Sequence, residues 1–215
     1  FTDLGSGFKI AMRDLEIRGA GNLLGKSQHG HMEAVGYDLY CKMLNEAVKN
    51  VQGMSAEADF ATVVDIDVDA YIPPEYIVNE VQKLDIYKRI AAIENEKERD
   101  DMKDELLDRF GAIPKSVENL LRISLIRVAA HALGMTEVKG RNDRITFLFK
   151  ADAGVNPAGI PALLGRHKNR LLFTAYGNPY FTYKYEQAGL TAVNTEQLLG
   201  DTEKLLGEMA KLLAG

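Results

Sequence analysis

One cysteine, Cys41, no tryptophan and no long apolar run are the first constraints in this 215-residue sequence. A lone thiol excludes an intramolecular disulfide and any cysteine-only zinc site, and it suits a reducing compartment. Nothing approaches the ~20 consecutive apolar residues of a membrane span, and no basic-then-apolar signal segment opens the chain. We therefore expect a cytoplasmic protein. The phosphate cradle GxxxxGK[ST], the GxSxG elbow, HExxH and paired cysteines are all missing, so no catalytic residue and no metal site is assigned. The chain opens on Phe1 and runs almost directly into a motif, which reads as a piece of a longer protein.

What is present is a globular composition, 46% hydrophobic and 27% charged, with a formal net charge of −5. The charge is unevenly placed. Residues 94 to 109 hold eight acids against four bases, while residues 141 to 185 hold seven Lys or Arg against two acids. Two different surfaces are implied.

Periodicity supplies the elements. Phe8, Ala11, Met12 and Leu15 fall at helical spacing, Asp14 and Arg18 sit one turn apart, and Gly19 and Gly21 end that helix. Leu39, Tyr40, Met43, Leu44, Ala47, Val48 and Val51 predict a helix over 37–51. After a compositional shift at 53–59, Val64, Ile66 and Val68 alternate with Asp65, Asp67 and Asp69, the pattern of a half-buried strand stopped by Pro73 and Pro74. The three aspartates resemble the start of a calcium loop, but its central glycine and closing glutamate are absent.

Three helical segments follow. Val78, Val81, Leu84, Ile86, Tyr87, Ile90 and Ile93 make a first buried stripe; Met102, Leu106, Leu107 and Phe110 a second, closed by Gly111. The third, with Pro114 in its first turn, runs through Val117, Leu120, Leu121, Leu125, Val128, Ala129 and Ala132 to Gly134. Beyond it, Ile145, Phe147 and Phe149 share a strand face, a short helix covers 157–167, RLLFTAYG and YFTYKYE pair as a hairpin, and an amphipathic helix covers 195–213. The fold class is α+β: a helical hairpin and loop segment, then several helices packed on a small, mostly antiparallel sheet. The divisions are 1–35, a connecting helix and linker at 36–58, and a domain at 59–215.

Two candidate chemistries remain. His29 and His31 flank Gly30 in a loop without a third ligand, and His131 and His167 lie on or near helices; none is assigned catalysis. Arg166, Lys168 and Arg170 precede Tyr176, Tyr180, Phe181, Tyr183 and Tyr185, a combination able to contact phosphates and stack bases. Phe181, Tyr183 and Tyr185 also share one strand face, so a sheet side packed on helices is the default reading.

GFKIAMRDLEIRGAGNLLGKSQHG, with EAVGYDLYCKMLNEAV after it, resembles the translocation motif that follows the second helicase lobe in the bacterial transcription-repair coupling factors (Mfd) and in RecG. KLDIYKRIAAIENEKERDDMKDELLDRFGAIP resembles the carboxy-terminal domain of the coupling factors, including its YKR, DRFG and following proline. A RecG-like fork-remodelling enzyme is the alternative, disfavoured because RecG ends soon after its motif.

That resemblance implies a parent that is an ATP- and magnesium-dependent DNA translocase, displacing stalled RNA polymerase and recruiting UvrA. The fragment itself is expected to be non-catalytic and to need no cofactor. By that resemblance Arg18 and Gln28, with Asp14, and with Gly19 and Gly21 letting the chain turn, would relay the motor's ATPase cycle; the alternative is that Arg18 only pairs with Asp14. The carboxy-terminal domain would clamp the UvrB-like amino-terminal module of the same protein and mask its UvrA-binding surface. The contact is expected from Glu105, the leading candidate, with Asp101, Asp104 and Asp108. No membrane partner is expected.

Overall fold

The computed structural model describes residues 60–185 and 194–213. The expectations for Asp14, Arg18, Gly19, Gly21 and Gln28, for the loop histidines 29 and 31, and for the helix over 37–51 lie outside the described residues.

The described chain is an α+β unit built on one five-stranded sheet. Strand β1 (Val63–Ile66) is followed by helices α1 (Glu80–Ala91), α2 (Glu96–Phe110) and α3 (Lys115–Ala132). The chain then forms β2 (Met135–Arg141), β3 (Arg144–Phe149), α4 (Gly159–Arg166), a 3-10 turn (Lys168–Arg170), β4 (Leu171–Thr174), β5 (Tyr180–Lys184) and α5 (Thr195–Leu213). Strand order is β1-β2-β3-β5-β4. β1 runs parallel to β2 and every other pairing is antiparallel.

Alternation makes the sheet two-faced. Val64, Ile66, Met135, Val138, Ile145, Phe147, Phe149, Phe181 and Tyr183 point to the buried side. Helices α3 and α5 close that core with Leu120, Ile126, Ala130, Leu199, Leu206 and Met209. The opposite face carries Asp65, Lys139, Thr146, Thr182 and Leu172, none of which is buried.

Local chemistry sets the helix ends. The Asn79 carboxamide oxygen accepts from the backbone N–H of Val81 and of Gln82, both at 3.0 Å, satisfying donors the first turn of α1 leaves free. Asn95 accepts from the Glu98 N–H at 3.0 Å, and the Glu98 carboxylate reaches back to the Glu94 N–H at 2.8 Å, a reciprocal cap for α2. Gly111 ends α2 at φ +83, a conformation favouring glycine.

Four expectations are corrected. α1 starts at Glu80, so Val78 and Val81, at its mouth, are 79% and 76% exposed rather than part of a buried stripe. Leu107 is 54% exposed, because the fully buried residues of α2 are Met102 and Leu106, with Phe110 partly buried on Tyr76, and Leu107 falls outside that stripe. Ala132 is exposed at the end of α3, while Asn119, Ile123, Ser124 and Ile126, left out of the expected stripe, are buried there. β2 was not anticipated: its Thr136, Glu137 and Lys139 obscure the alternation of Met135 with Val138 and Gly140, and a register irregularity between Met135 and Glu137 shifts the phase.

Among the described glycines, Gly159 makes the closest approach to a neighbouring backbone, joining α4 to α5. A Cβ on Gly159 would lie 1.8 Å from the Leu212 carbonyl oxygen. Because that neighbour is backbone, relief requires moving a helix. Gly159→Ala should cost about 1–3 kcal/mol in urea unfolding, the range of core overpacking; a loss under about 0.5 kcal/mol would show that α4 is free to shift.

Candidate functional site

The acidic helix α2 presents the most one-sided charged surface. Its two buried residues, Met102 and Leu106, are one turn apart, and apart from the half-buried Arg99, Glu105 and Phe110 the rest of the cylinder faces solvent. Asp101, Asp104 and Asp108, at intervals of three and four, are exposed along one side. Leu107 stands exposed beside them.

Glu105 differs from these aspartates. Its carboxylate accepts from the Arg89 guanidinium of α1, with Nη1 2.7 Å from Oε1 and Nη2 on Oε2, and from Arg109 Nη1 at 2.5 Å. The side chain keeps 27% of its surface. The hydrogen bond from Arg89 chiefly, with burial opposing it, then Arg109, holds the carboxyl well below the usual range, at about 2. Arg109 in turn lies 5.0 Å over the Phe110 ring, which packs on Tyr76, whose hydroxyl donates to the Leu106 carbonyl at 3.1 Å. Glu105 therefore anchors the α1–α2 junction, while the three aspartates remain open to an external partner.

The other candidates have internal explanations. Asp65 pairs with Arg141, whose guanidinium also donates to the Asp65 and Gly140 carbonyls, so this aspartate serves a cation of the chain itself. His167 is buried at the end of α4, with Nε2 2.7 Å from the Glu208 Oε2 of α5 and its ring edge-on to Tyr183. Thr62 Oγ1 donates to the Met135 carbonyl at 2.6 Å. Having spent its one proton, it accepts from His131 Nδ1 at 3.1 Å, and that ring stacks on Phe60 at 4.4 Å. Phe181 and Tyr183 are buried under the helices, as the sheet-face reading has it, whereas Tyr176 is exposed.

A second charge network ties α3 to α5. Arg122 donates to both oxygens of Glu203, at 2.7 and 2.8 Å, and to Glu196 at 2.7 Å, and Lys115 completes it 2.9 Å from Glu196. The bidentate geometry makes it a positional staple between two helices otherwise joined by apolar contact. Sequence reasoning missed Arg89 and Arg122 for one reason: each meets its acid on another helix. The Glu105–Arg109 spacing of four was legible; the partner from α1 was not.

The family model described as TRCF domain matches residues 66–160, from the end of β1 into α4, and so includes the whole acidic helix. Curated transcription-repair-coupling factors match over longer stretches: 46% identity over 187 residues with that of Staphylococcus haemolyticus, and 44% over 160 residues with that of Bacillus subtilis. The chain belongs to the transcription-repair-coupling factor family. The alignments cover 81% and 74% of this chain but only 16% and 14% of those relatives, so the chain spans about one sixth or less of their length. The staphylococcal factor of the USA300 strain of Staphylococcus aureus is 49% identical over 161 residues, 74% of this chain and 14% of that protein. A crystal structure of the C-terminal domain of a transcription-repair coupling factor superposes with a TM-score of 0.62 at 20% identity, covering 73% of this chain and 97% of that one. The fold is that of this carboxy-terminal domain. Among the described residues no helix is long and apolar enough to cross a membrane.

The Glu105 network has a pH signature. Its folded-state carboxyl titrates below the unfolded one, so the stabilisation is complete above the unfolded pKa and disappears as pH falls toward about 2. Glu105→Gln should lower stability at pH 7 by about 1 kcal/mol or less, the range of a half-exposed pair, and the gap from wild type should close as unfolding is measured from pH 5 down to pH 2. A constant gap across that range would assign the loss to packing instead.

Proposed function

We propose that this chain is the non-catalytic regulatory end of a coupling factor and that α2 is its docking element. The domain clamps the UvrB-like amino-terminal module of the same protein, masking the surface that receives UvrA until the motor engages stalled RNA polymerase. Residues 1–35 contribute the relay, in which Arg18 and Gln28, with Asp14, Gly19 and Gly21, couple the motor's ATP and magnesium chemistry to movement on DNA.

One observation carries the clamp reading: a helix held by two buried residues offers Asp101, Asp104 and Asp108 beside an exposed Leu107. Exposed carboxylates flanking an apolar side chain suit an arginine-bearing partner, because ion pairs contribute to affinity mainly where neighbouring contact excludes water. Glu105, already engaged by Arg89 and Arg109, positions this surface and contributes to docking through it. The aspartates are therefore the better probes. Reversing them leaves the α1–α2 junction intact, whereas reversing Glu105 breaks it.

The decisive measurement is calorimetric titration of the chain with the isolated UvrB-like module, alongside Asp104→Arg with Asp108→Arg. Loss of one partner from a desolvated charge pair costs ~2–5 kcal/mol, so the double variant should bind at least about 30-fold more weakly. Equal affinity for wild type and variant, at matched thermal stability, removes α2 from the contact.

A further inference from the structure

The basic half of the chain resolves into a row of cations at one end of the sheet. Arg141 of β2 stands opposite Arg144 of β3, and Arg144 stands opposite Lys184 of β5. Leu171 pairs with Tyr183, so Arg170, one residue earlier, reaches the same end, its guanidinium 5.4 Å from the Tyr183 ring. Ile145 and Tyr183, next to Arg144 and Lys184 along their strands, are buried against the helices, so Arg144 and Lys184 lie on the uncovered face, while Arg170, over the Tyr183 ring, and Lys168 flank the same end of the sheet from the 3-10 turn. Lys168, Arg170, Arg144 and Lys184 are all exposed.

Like charges opposite one another across a sheet repel, and the acids present do not cancel them. Asp65 takes Arg141 and Asp143 takes Arg144, at 2.6 and 2.9 Å. Asp143 also lies close enough to feel the Lys184 charge, while among the described residues no carboxylate makes an ion pair with Lys168 or Arg170. On a chain of net charge −5 this is a local excess of the opposite sign.

We propose that this end of the sheet binds the phosphate backbone of a nucleic acid through Arg144, Lys168, Arg170 and Lys184. The dimensions suit it: adjacent strands lie ~4.8 Å apart, so the contacts from β3 to the β4 side span roughly 10 Å, the length over which one strand of a duplex presents about three phosphates. The next residues inward, Thr146 opposite Thr182, add hydroxyl donors. A protein partner is disfavoured because a stable interface needs an apolar centre, and Leu172 is the one markedly exposed aliphatic side chain in the adjoining row. With Phe181 and Tyr183 buried, bases find no stacking platform there, so recognition is of the backbone and independent of sequence. The proposal stands on the sheet and survives failure of the α2 clamp.

The test is fluorescence anisotropy of the whole chain with a labelled 20-mer as duplex DNA, single-stranded DNA or RNA, titrated with salt, and with polyglutamate of equal length. Binding to at least one nucleic acid is expected, and the ranking of the three identifies the source of the phosphates. Each lost contact flattens the log affinity against log salt slope by about 0.7–0.9. Arg144→Gln, Arg170→Gln and Lys184→Gln together should therefore weaken binding about tenfold or more in low salt and flatten the slope by about 2. Lys103→Gln, Lys204→Gln and Lys211→Gln, the same change in net charge placed on exposed helix positions, should leave binding within about twofold of wild type, as should Lys184→Arg, under this contact-based account. Four results each overturn the proposal: no binding to any nucleic acid, equal loss in the helix control, undiminished binding by the sheet variant, or polyglutamate binding as tightly.

Discussion

Packing around α3 is the constraint on which the rest of the domain depends. It is the helix that meets the sheet through β1 and β2, the long helix α5, and both α1 and α2. A helix surrounded in this way buries residues all round rather than along one stripe, so Asn119 and Ser124 are buried with the leucines and isoleucines. Their polar atoms are put to use. Asn119 donates to the Asp69 carbonyl at 2.8 Å, fixing the chain that leaves β1, and Ser124 donates to the Leu121 carbonyl one turn back. Arg127 donates to the Ala91 and Ile93 carbonyls at 3.0 and 2.9 Å, satisfying acceptors that the end of α1 leaves unpaired. α3 thus sets where α1 ends and, through the short Ile93–Asn95 connection, where α2 begins.

This arrangement explains why the two charged surfaces are separate. The acidic helix attaches to the core by Met102 and Leu106 and by the Arg89–Glu105–Arg109 network, none of which needs Asp101, Asp104 or Asp108. The cations gather at one end of the sheet, Arg144 and Lys184 on the face away from the buried side chains, and the pairing with Asp65 and Asp143 stays within the strands and the β2–β3 turn. Neither surface contributes much to the core. Charge on either side can be changed with little effect on folding, since exposed ion pairs typically contribute ~0–1 kcal/mol.

Much of the fold was legible in the sequence where one period ran uninterrupted. α5 has the bounds 195–213 that its leucines predict, and the β4–β5 hairpin forms around Gly177 at φ +74 with Phe181 and Tyr183 facing inward. Legibility failed where tertiary context overrode local pattern. Val78 and Val81 extend the period of α1 by sequence, but Asn79 caps the helix after Val78 and leaves both valines in solvent. β2 escaped notice because its exposed side carries charge and its phase shifts. With β2 unread, the opposition of Arg141, Arg144 and Lys184 had no register from which to be inferred. At the acidic site the sequence showed the charge and the spacing, but separating Glu105 from its neighbours required Arg89, which lies sixteen residues away on another helix.

That separation bears on how a clamp of this kind is set. A carboxylate already neutralised by two arginines offers little net field to a partner, whereas the aspartates beside it keep theirs. Holding Glu105 internally fixes the angle of α2 on α1, and hence the direction in which Asp101, Asp104 and Asp108 face, without spending their charge. The cost of ordering the helix is met in the folded domain by packing and capping, so a partner need order only a few short aspartate side chains, which lose less rotamer freedom than glutamates would. Affinity then depends on the aspartates and Leu107, while the geometry of approach depends on Glu105, two functions that a uniformly acidic helix without the α1 arginine would leave merged.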